Sequence, residues 1–320
     1  MKDGFNREIN YLRISVTGKC NLHCKYCMGF SDAATGLSDE ELSLSEIVDS
    51  VRACAVLGVK KVRITGGEPL VRKDILSICE RVSNIDGIEE VCLTTNGTLL
   101  SEYANYLKAV GVKRINISLD TLSADKYIKI TGNDAFNRVL SGIEKVVSLD
   151  FEGVKLNGVL MKGINDDEIR NLAELTLKYP VDFRFIELMP MTTKPSGRFG
   201  EYIEGSRVLD VLPELVREND CSKSQDVSLY YRFPGALGRV GIITPVSRSF
   251  CASCNRIRIT YDGFVKPCLH SKEEFKIKGL DYLSKVETIR RAISSKPEAH
   301  IDFRGGQTSE AARTMNRIGG

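Results

Sequence analysis

Six apolar runs alternate with amphipathic stretches over the first two thirds of the chain, and this alternation is the strongest constraint on its fold. The runs are Tyr11–Thr17, Lys61–Thr65, Glu90–Asn96, Arg114–Asp120, Val154–Met161 and Val181–Met189, each rich in Val, Ile, Leu or Phe and most nearly continuous. Short, nearly continuous runs suit parallel strands covered on at least one face by helices. Between them, Ser43-Leu-Ser-Glu46 is a capping box ahead of Ile47, Val48, Val51, Cys54 and Ala55, with Gly58 as the stop. Asn165-Asp-Asp-Glu168 is expected to cap a second helix, and Ser101 a third that ends at Gly111. A strand–helix unit recurring at roughly thirty residues predicts a βα-repeat sheet or a partial barrel, the latter an incomplete (β/α)6, TIM-like one. Function is then expected at the C-terminal ends of the strands.

Chemically distinctive residues do gather there. Cys20-Asn-Leu-His-Cys24-Lys-Tyr-Cys27 follows the first run, Thr65-Gly-Gly-Glu-Pro69 the second and Thr94-Thr-Asn-Gly97 the third. Ser118-Leu-Asp120 ends the fourth, Lys155 and Asn157 lie in the fifth, and Glu187-Leu-Met-Pro190 closes the sixth. Three thiols this close on one loop suit a metal or an iron–sulfur cluster. With only three protein ligands, one iron of a cubane stays open for chemistry, as catalytic zinc keeps one position for water or substrate.

Past residue 190 the composition turns polar, with loops at Lys194–Gly205 and Asn219–Ser228 around a short helix, Ser206–Leu215. A strand is expected at Arg239–Thr244, a hairpin from Arg256–Thr260 and Phe264–Pro267 around Tyr261-Asp-Gly263, and a helix at Gly279–Ser295. The division expected is 1–228 for the barrel and 229–320 for a C-terminal region. Cys251, Cys254 and Cys268 surround the hairpin. Spacing alone leaves a second three-cysteine cluster and a structural Cys3His zinc site with His270 both open. Cys54, Cys79 and Cys92 sit in apolar patterns and read as small core hydrophobes, and Cys221 has no partner in view.

Arg13, Arg63, Arg184, Arg256 and Arg258 all fall on strands or strand ends, where a buried charge is costly without an anion. No Gly-x4-Gly-Lys-Ser/Thr loop is present, so phosphate binding would have to come from side-chain forks. The net charge of +3 offers no case for bulk nucleic-acid binding. No apolar stretch approaches the ~18 residues of a membrane span, and the N-terminus lacks a signal-peptide core. Ten cysteines without a secretion signal point to reduced thiols and a cytoplasmic location.

Cys-x3-Cys-x2-Cys with an aromatic before the last cysteine, followed by Gly-Gly-Glu-Pro, resembles the radical S-adenosylmethionine (SAM) enzymes. The second Cys-x2-Cys-x13-Cys set, Arg256-Ile257-Arg258 and the final Gly319-Gly320 make the whole chain similar to the GTP 3',8-cyclase family, which opens molybdenum-cofactor biosynthesis. The resemblance implies two [4Fe–4S] clusters, one on Cys20, Cys24 and Cys27 binding SAM and one on Cys251, Cys254 and Cys268 facing the guanine. It implies SAM contacts from Tyr26, Gly67, Ser118 and Met189. It further implies GTP contacts from Arg13, Arg63, Thr94, Lys155, Arg184, Arg256, Ile257 and Arg258, with Gly319 and Gly320 reaching into the site. The implied reaction is reductive cleavage of SAM to a 5'-deoxyadenosyl radical that takes the 3'-hydrogen of GTP, after which C3' closes on C8. The implied partners are a low-potential electron donor and the next enzyme of the pathway, cyclic pyranopterin monophosphate synthase. Neither nucleic acid nor membrane is among them, and a monomer or homodimer is expected. One departure is Gly29, where relatives usually carry Pro, followed by a short, atypical loop from Phe30 to Glu41. Two other classes are a different radical SAM maturase with an auxiliary cluster, and a non-enzymatic zinc module binding RNA. The Arg-Ile-Arg and Gly-Gly features argue against the first.

Overall fold

The six predicted runs form consecutive parallel strands: β1 (Tyr11–Ser15), β2 (Lys61–Thr65), β3 (Glu90–Thr95), β4 (Arg114–Ser118), β5 (Gly153–Leu160) and β6 (Asp182–Glu187). They belong to a computed structural model that describes residues 1–28, 40–191, 199–218 and 227–319. Gly29 and most of its loop, Cys221 and Gly320 lie outside the described residues. Six strands follow: β7 (Val216–Arg217), β8 (Leu229–Arg232), β9 (Val240–Ile243), β10 (Arg256–Ile259), β11 (Phe264–Lys266) and β12 (Phe275–Lys276). All twelve form one sheet in the order β12-β11-β10-β1-β2-β3-β4-β5-β6-β9-β8-β7. Late strands thus extend both edges of the barrel: β10 runs parallel to β1 and β9 parallel to β6, and antiparallel ribbons follow on either side. The result is an incomplete TIM-like barrel whose open edges are capped by the C-terminal third of the chain.

The helices are α1 (Lys25–Met28), α2 (Leu44–Val56), α3 (Ile75–Ser83), α4 (Leu100–Ala109), α5 (Ala124–Thr131), α6 (Phe136–Ser148), α7 (Ile169–Ala173), α8 (Leu175–Lys178), α9 (Arg207–Val211), α10 (Tyr282–Ser294) and α11 (Met315–Ile318). The capping box of α2 forms as expected, with Ser43 and Glu46 each bonding the other's backbone N–H. Two expected caps do not form. Ser101 lies inside α4, whose first residue is Leu100. Asn165 instead donates to the carbonyls of Asp120 (2.7 Å) and Val159 (2.9 Å) and accepts from the Met161 N–H (2.9 Å). Buried backbone groups at the ends of β4 and β5 claim its amide before the helix can, because each would otherwise be unpaired.

The strands alternate more strictly than their sequences suggest. Leu12 and Ile14, Val62 and Ile64, Val91 and Leu93, Ile115 and Ile117, Leu156, Phe183 and Phe185 are buried in the apolar layer under the helices. Phe183 and Phe185 have ring centroids 4.7 Å apart, and truncating a fully buried Phe to Ala costs about 3–5 kcal/mol. The opposite face, which in a TIM barrel is filled with branched aliphatics, carries polar and charged residues instead. Cys92 belongs to that inner face. It is buried, but it bonds Glu90 (2.9 Å) and is not part of the apolar core, unlike Cys54 and Cys79.

Candidate active site

The barrel interior encloses a cavity of about 860 Å³, near the top of the ~300–1,000 Å³ range of small-molecule sites. Cys20, Cys24, Cys27, Tyr26, Gly67, Ser118 and Met189 line it from the C-terminal ends of the strands. Arg13, Arg63, Thr94, Lys155, Arg184, Arg256 and Arg258 line it from the strands themselves. Ile257 does not: its side chain is buried in the apolar core beside Leu12, leaving only its backbone for the cavity side.

The first cysteine loop is held by backbone contacts that only glycine permits. Gly67 N–H donates to the Thr17 carbonyl (2.7 Å), and a Cβ at Gly67 would lie 2.3 Å from the Lys19 carbonyl oxygen. Gly66-Gly67 is therefore a close approach to the loop carrying Cys20, and not merely a turn. Glu68, almost fully buried, accepts from Leu70 N–H (3.0 Å), Thr95 Oγ1 (2.7 Å) and Asn96 N–H (2.6 Å), tying the ends of β2 and β3. Burial raises its pKa to about 7 against those three bonds. Tyr26 donates to Asp120 Oδ2 (2.9 Å), whose other oxygen takes the Val159 N–H (2.8 Å). Burial lifts the Cys24 thiol well up and the Cys27 thiol to about 12, with the neighbouring cysteines and Asp120 adding to the effect.

The second set sits at the start of β10 and after β11. Arg7 ties it to the N-terminus, donating to the carbonyls of Cys251 (2.8 Å), Pro297 (2.6 Å) and Glu298 (2.7 Å) and to Asp3 (2.6 Å). Burial raises the Cys254 thiol, but Arg256 and Lys296 outweigh it and bring it to about 7. For Cys251, burial is likewise outweighed by a hydrogen bond from His300, and the net shift is downward. His270, the zinc ligand considered from spacing, faces Ser309 Oγ (3.1 Å) and packs edge-on against His300 and Phe303.

The donor chemistry fits iron–sulfur clusters at both sets. Bonds of ~2.3 Å at tetrahedral angles place thiolates on a single zinc about 3.8 Å apart. Among the described residues, no three His, Cys, Asp or Glu side chains converge closely enough to hold one ion. A cubane, with a different metal at each thiolate, accepts wider spacing.

Between the two sets the interior is cationic. Arg63 donates to Tyr11 Oη and to the Leu93 carbonyl (3.3 Å), Arg184 to Asn157 Oδ1 (2.9 Å) and Lys155 to Tyr230 Oη (2.7 Å). Burial, followed by the charge of Arg258, holds Arg13 well below the usual arginine range, and burial with Arg256 brings Arg258 to about 10. At the N-terminal end, Glu90 compensates Lys61 (2.7 Å) and Asp182 compensates Arg239 (2.7 Å). Such a cavity is built for a polyanion.

Glu68, Asp120, Asn157 and Glu187 fall within the distinctive stretches of the sequence, but nothing there assigns them a partner, and Tyr230 carries no signal at all. Asn157 and Tyr230 orient Arg184 and Lys155, and Glu68 and Asp120 brace the first loop. Glu187 accepts from the N–H groups of Gly205, Val246 and Ser247 (each 2.9 Å), pinning loops to the end of β6 without lining the cavity. Asp120 was within reach of sequence reasoning, as a carboxylate ending a strand at the functional rim. In the tail, Met315 and Asn316 line the cavity. The Gly319 carbonyl accepts from Arg258 Nη1 (2.6 Å) and Asn316, which lines the wall, directs its backbone N–H at the Cys27 sulfur.

Known proteins resemble the chain in sequence and fold. The Radical SAM superfamily model matches residues 14–176, and the Molybdenum Cofactor Synthesis C model matches residues 181–301. The chain is 45% identical over 323 residues to the GTP 3',8-cyclase of Alkaliphilus oremlandii, covering 100% of both chains. It is 40% identical over 328 residues to that of Clostridium perfringens strain SM101, again covering 100% of both. Among solved structures, Streptococcus suis SuiB bound to S-adenosylmethionine superposes with a TM-score of 0.65 at 16% identity, over 87% of this chain and 65% of that one. The anSMEcpe structure with bound AdoMet gives 0.63 at 16% identity, over 86% and 76%. These two likenesses concern the fold. No helix among the described residues is long and apolar enough to cross a membrane. Full-length identity of this order, with both family models matched in succession along the chain, makes it a member of the GTP 3',8-cyclase family of radical SAM enzymes.

Proposed function

We propose that the barrel cavity is where GTP meets SAM, with Cys20, Cys24 and Cys27 holding the cluster that binds SAM and Cys251, Cys254 and Cys268 holding a second one beside the guanine. The observation that carries this reading is that the first cysteine loop and the row of arginines open into one cavity. The enzyme is a GTP 3',8-cyclase and uses SAM and iron–sulfur clusters. The chemistry these supply when bound is a 5'-deoxyadenosyl radical that takes the 3'-hydrogen of GTP, giving (8S)-3',8-cyclo-7,8-dihydroguanosine 5'-triphosphate in the first step of molybdenum-cofactor biosynthesis.

The chain's own residues do the binding, orienting and shielding. Arg13, Arg63, Arg184, Arg256, Arg258 and Lys155 receive the triphosphate, whose charge relieves their mutual repulsion. Asn157 and Tyr230 hold two of these cations in place, so that the ribose is presented with the ~1 Å tolerance such a transfer requires. Tyr26, braced by Asp120, with Gly67, Ser118 and Met189, forms the SAM end of the wall. Residues 1–228 carry the SAM end and part of the GTP-binding wall, and 229–320 add the second cysteine set with Arg256 and Arg258. A low-potential electron donor, transfer of product to cyclic pyranopterin monophosphate synthase, and a cytoplasmic monomer or homodimer complete the reading.

Purification without oxygen should yield brown protein with about eight irons and eight sulfides. Incubation with SAM, reductant and GTP should then yield 5'-deoxyadenosine together with the cyclised nucleotide. 5'-Deoxyadenosine forming equally well without GTP would count against the assigned substrate site.

A further inference from the structure

Beyond the second cysteine set the chain runs over the surface and then dives into the cavity, and the point of entry is a buried ion cluster. Arg313 is 3% exposed. Its Nη1 donates to both oxygens of Asp262 (2.9 and 2.8 Å), and its Nε and Nη2 donate to Glu274 (2.7 Å each at closest). Phe264 covers one face of the guanidinium, with its centroid 5.0 Å away. Lys266, fully buried, donates to Glu274 (2.9 Å) and to the Ser271 carbonyl (2.7 Å), and Thr260 Oγ1 donates to Asp262 (2.6 Å). Two cations thus meet two carboxylates; Asp262, Lys266 and Glu274 lie on or beside the β10–β11 hairpin, and Arg313 belongs to the tail.

Before Arg313 the tail has little to hold it, whereas after it the chain packs against α1 and buries Asn316 and Ile318. Glu310 and Ala312 before it are exposed, and Ser309 is the buried exception, with its N–H on the Pro190 carbonyl (2.8 Å). After it comes α11, four residues long, too short to be stable alone. Yet Gly319, six residues on, is positioned closely. Its φ is +89°, and a Cβ there would lie 2.4 Å from Thr65 Oγ1 and 3.0 Å from Ser15 Cβ. There its carbonyl takes the Arg258 guanidinium.

We propose that Arg313 is a positioning residue for GTP binding: its clamp to Asp262 and Glu274 fixes the tail so that Gly319 orients Arg258 in the cavity. This rests on the reading that Arg258 binds GTP. Arg258 stands among Arg13 and Arg256, whose repulsion favours other rotamers, and one fixed carbonyl on Nη1 leaves the remaining nitrogens of the fork aimed at an incoming phosphate.

The test uses anaerobically reconstituted holoenzyme. Arg313→Met should lower hydrogen-exchange protection of 314–319 at least tenfold and raise the KM for GTP about tenfold or more, while Arg313→Lys recovers part of both. Because Arg313→Met leaves two carboxylates against one lysine and can fail to fold, a second variant inserts Gly-Ser-Gly between Arg313 and Thr314. That insertion keeps the clamp, should melt like the wild type, and should show the same KM rise. Wild-type KM and protection in the insertion variant, or in a folded Arg313→Met, overturn the proposal. The exchange readout does not involve GTP, so loss of protection with no change in KM would leave the clamp standing and remove Arg258 from GTP binding.

Discussion

Around Cys20, Cys24 and Cys27 the charged neighbours are carboxylates, Glu68 and Asp120. Around Cys251, Cys254 and Cys268 they are Arg256, Arg258, Lys296 and His300. Both sets are three thiols beside one sheet, the first past the end of β1 and the second opening at the start of β10; burial leaves Cys24 and Cys27 raised, whereas Cys251 and Cys254 end up lowered. What differs is the sign of the surrounding charge. On the proposed reading the acidic set would face a cofactor with a cationic sulfonium, and the basic set the row of arginines expected to take a triphosphate. A cluster's reduction potential follows the net charge and hydrogen bonds around it, so the two sites should differ in electron affinity as well as in ligand.

The sharpest separation should come from the thiols themselves. Cys24→Ser is expected to abolish 5'-deoxyadenosine formation, whereas Cys254→Ser should abolish cyclised product while SAM cleavage persists. Chromatographic assay of both products distinguishes them, and loss of SAM cleavage in both variants would merge the two roles. Next in size, Arg258→Met should raise the KM for GTP about 10–150-fold, the worth of a hydrogen bond to a charged group, and leave SAM affinity unchanged. A SAM affinity that falls in parallel would mean the cationic end is not specific to GTP.

In an EPR-monitored redox titration, the second cluster should reduce at a potential roughly 60 mV or more above the first, a tenfold preference for one electron. Coincident midpoints would show that the surrounding charges do not tune the clusters. The smallest effect concerns the barrel between them, where Glu90 compensates Lys61 inside the sheet. Burial alone would raise the Glu90 pKa, but bonds from Cys92 and Lys61 outweigh it and bring it to about 2. A depressed carboxylate stabilises the fold above its unfolded pKa and loses that contribution as pH falls through the folded value. Glu90→Gln should therefore cost at most about 3 kcal/mol at pH 7, with the gap from wild type closing between pH 4.5 and 2. A gap independent of pH in urea melts would assign the loss to packing.

Most of the barrel was legible because strand and helix patterns are local. β2 begins and ends where its apolar run does, and α2 starts at its capping box. What was not legible depends on who meets whom. Nothing near Arg256 announces that β10 pairs with β1, or that this turns Ile257 away from the cavity that Arg256 and Arg258 line. Asn165 looked like a cap until the backbone of Asp120 and Val159 required it. Nothing around Arg313 in the sequence announces its role, because its partners Asp262 and Glu274 lie 51 and 39 residues away, on and after the β10–β11 hairpin. Thiols and arginines could be found by type and spacing, and Glu68, Asp120 and Asn157 by their place in the strand-end motifs, but which group each of them holds could not.

The pairing of β10 with β1 also has a consequence for how the chain is made. Asn10 and Asn255, which bond each other at 2.7 Å beside the two strands, are 245 residues apart. At ~5–20 residues per second, the first strand leaves the ribosome roughly 12–50 s before its outer neighbour. During that time its edge, with Leu12 and Ile14 beside it, is an unpaired template of the kind that invites pairing with another chain. Assembly of this barrel should therefore be slow for its size, and most prone to aggregation before residue 256 has been synthesised.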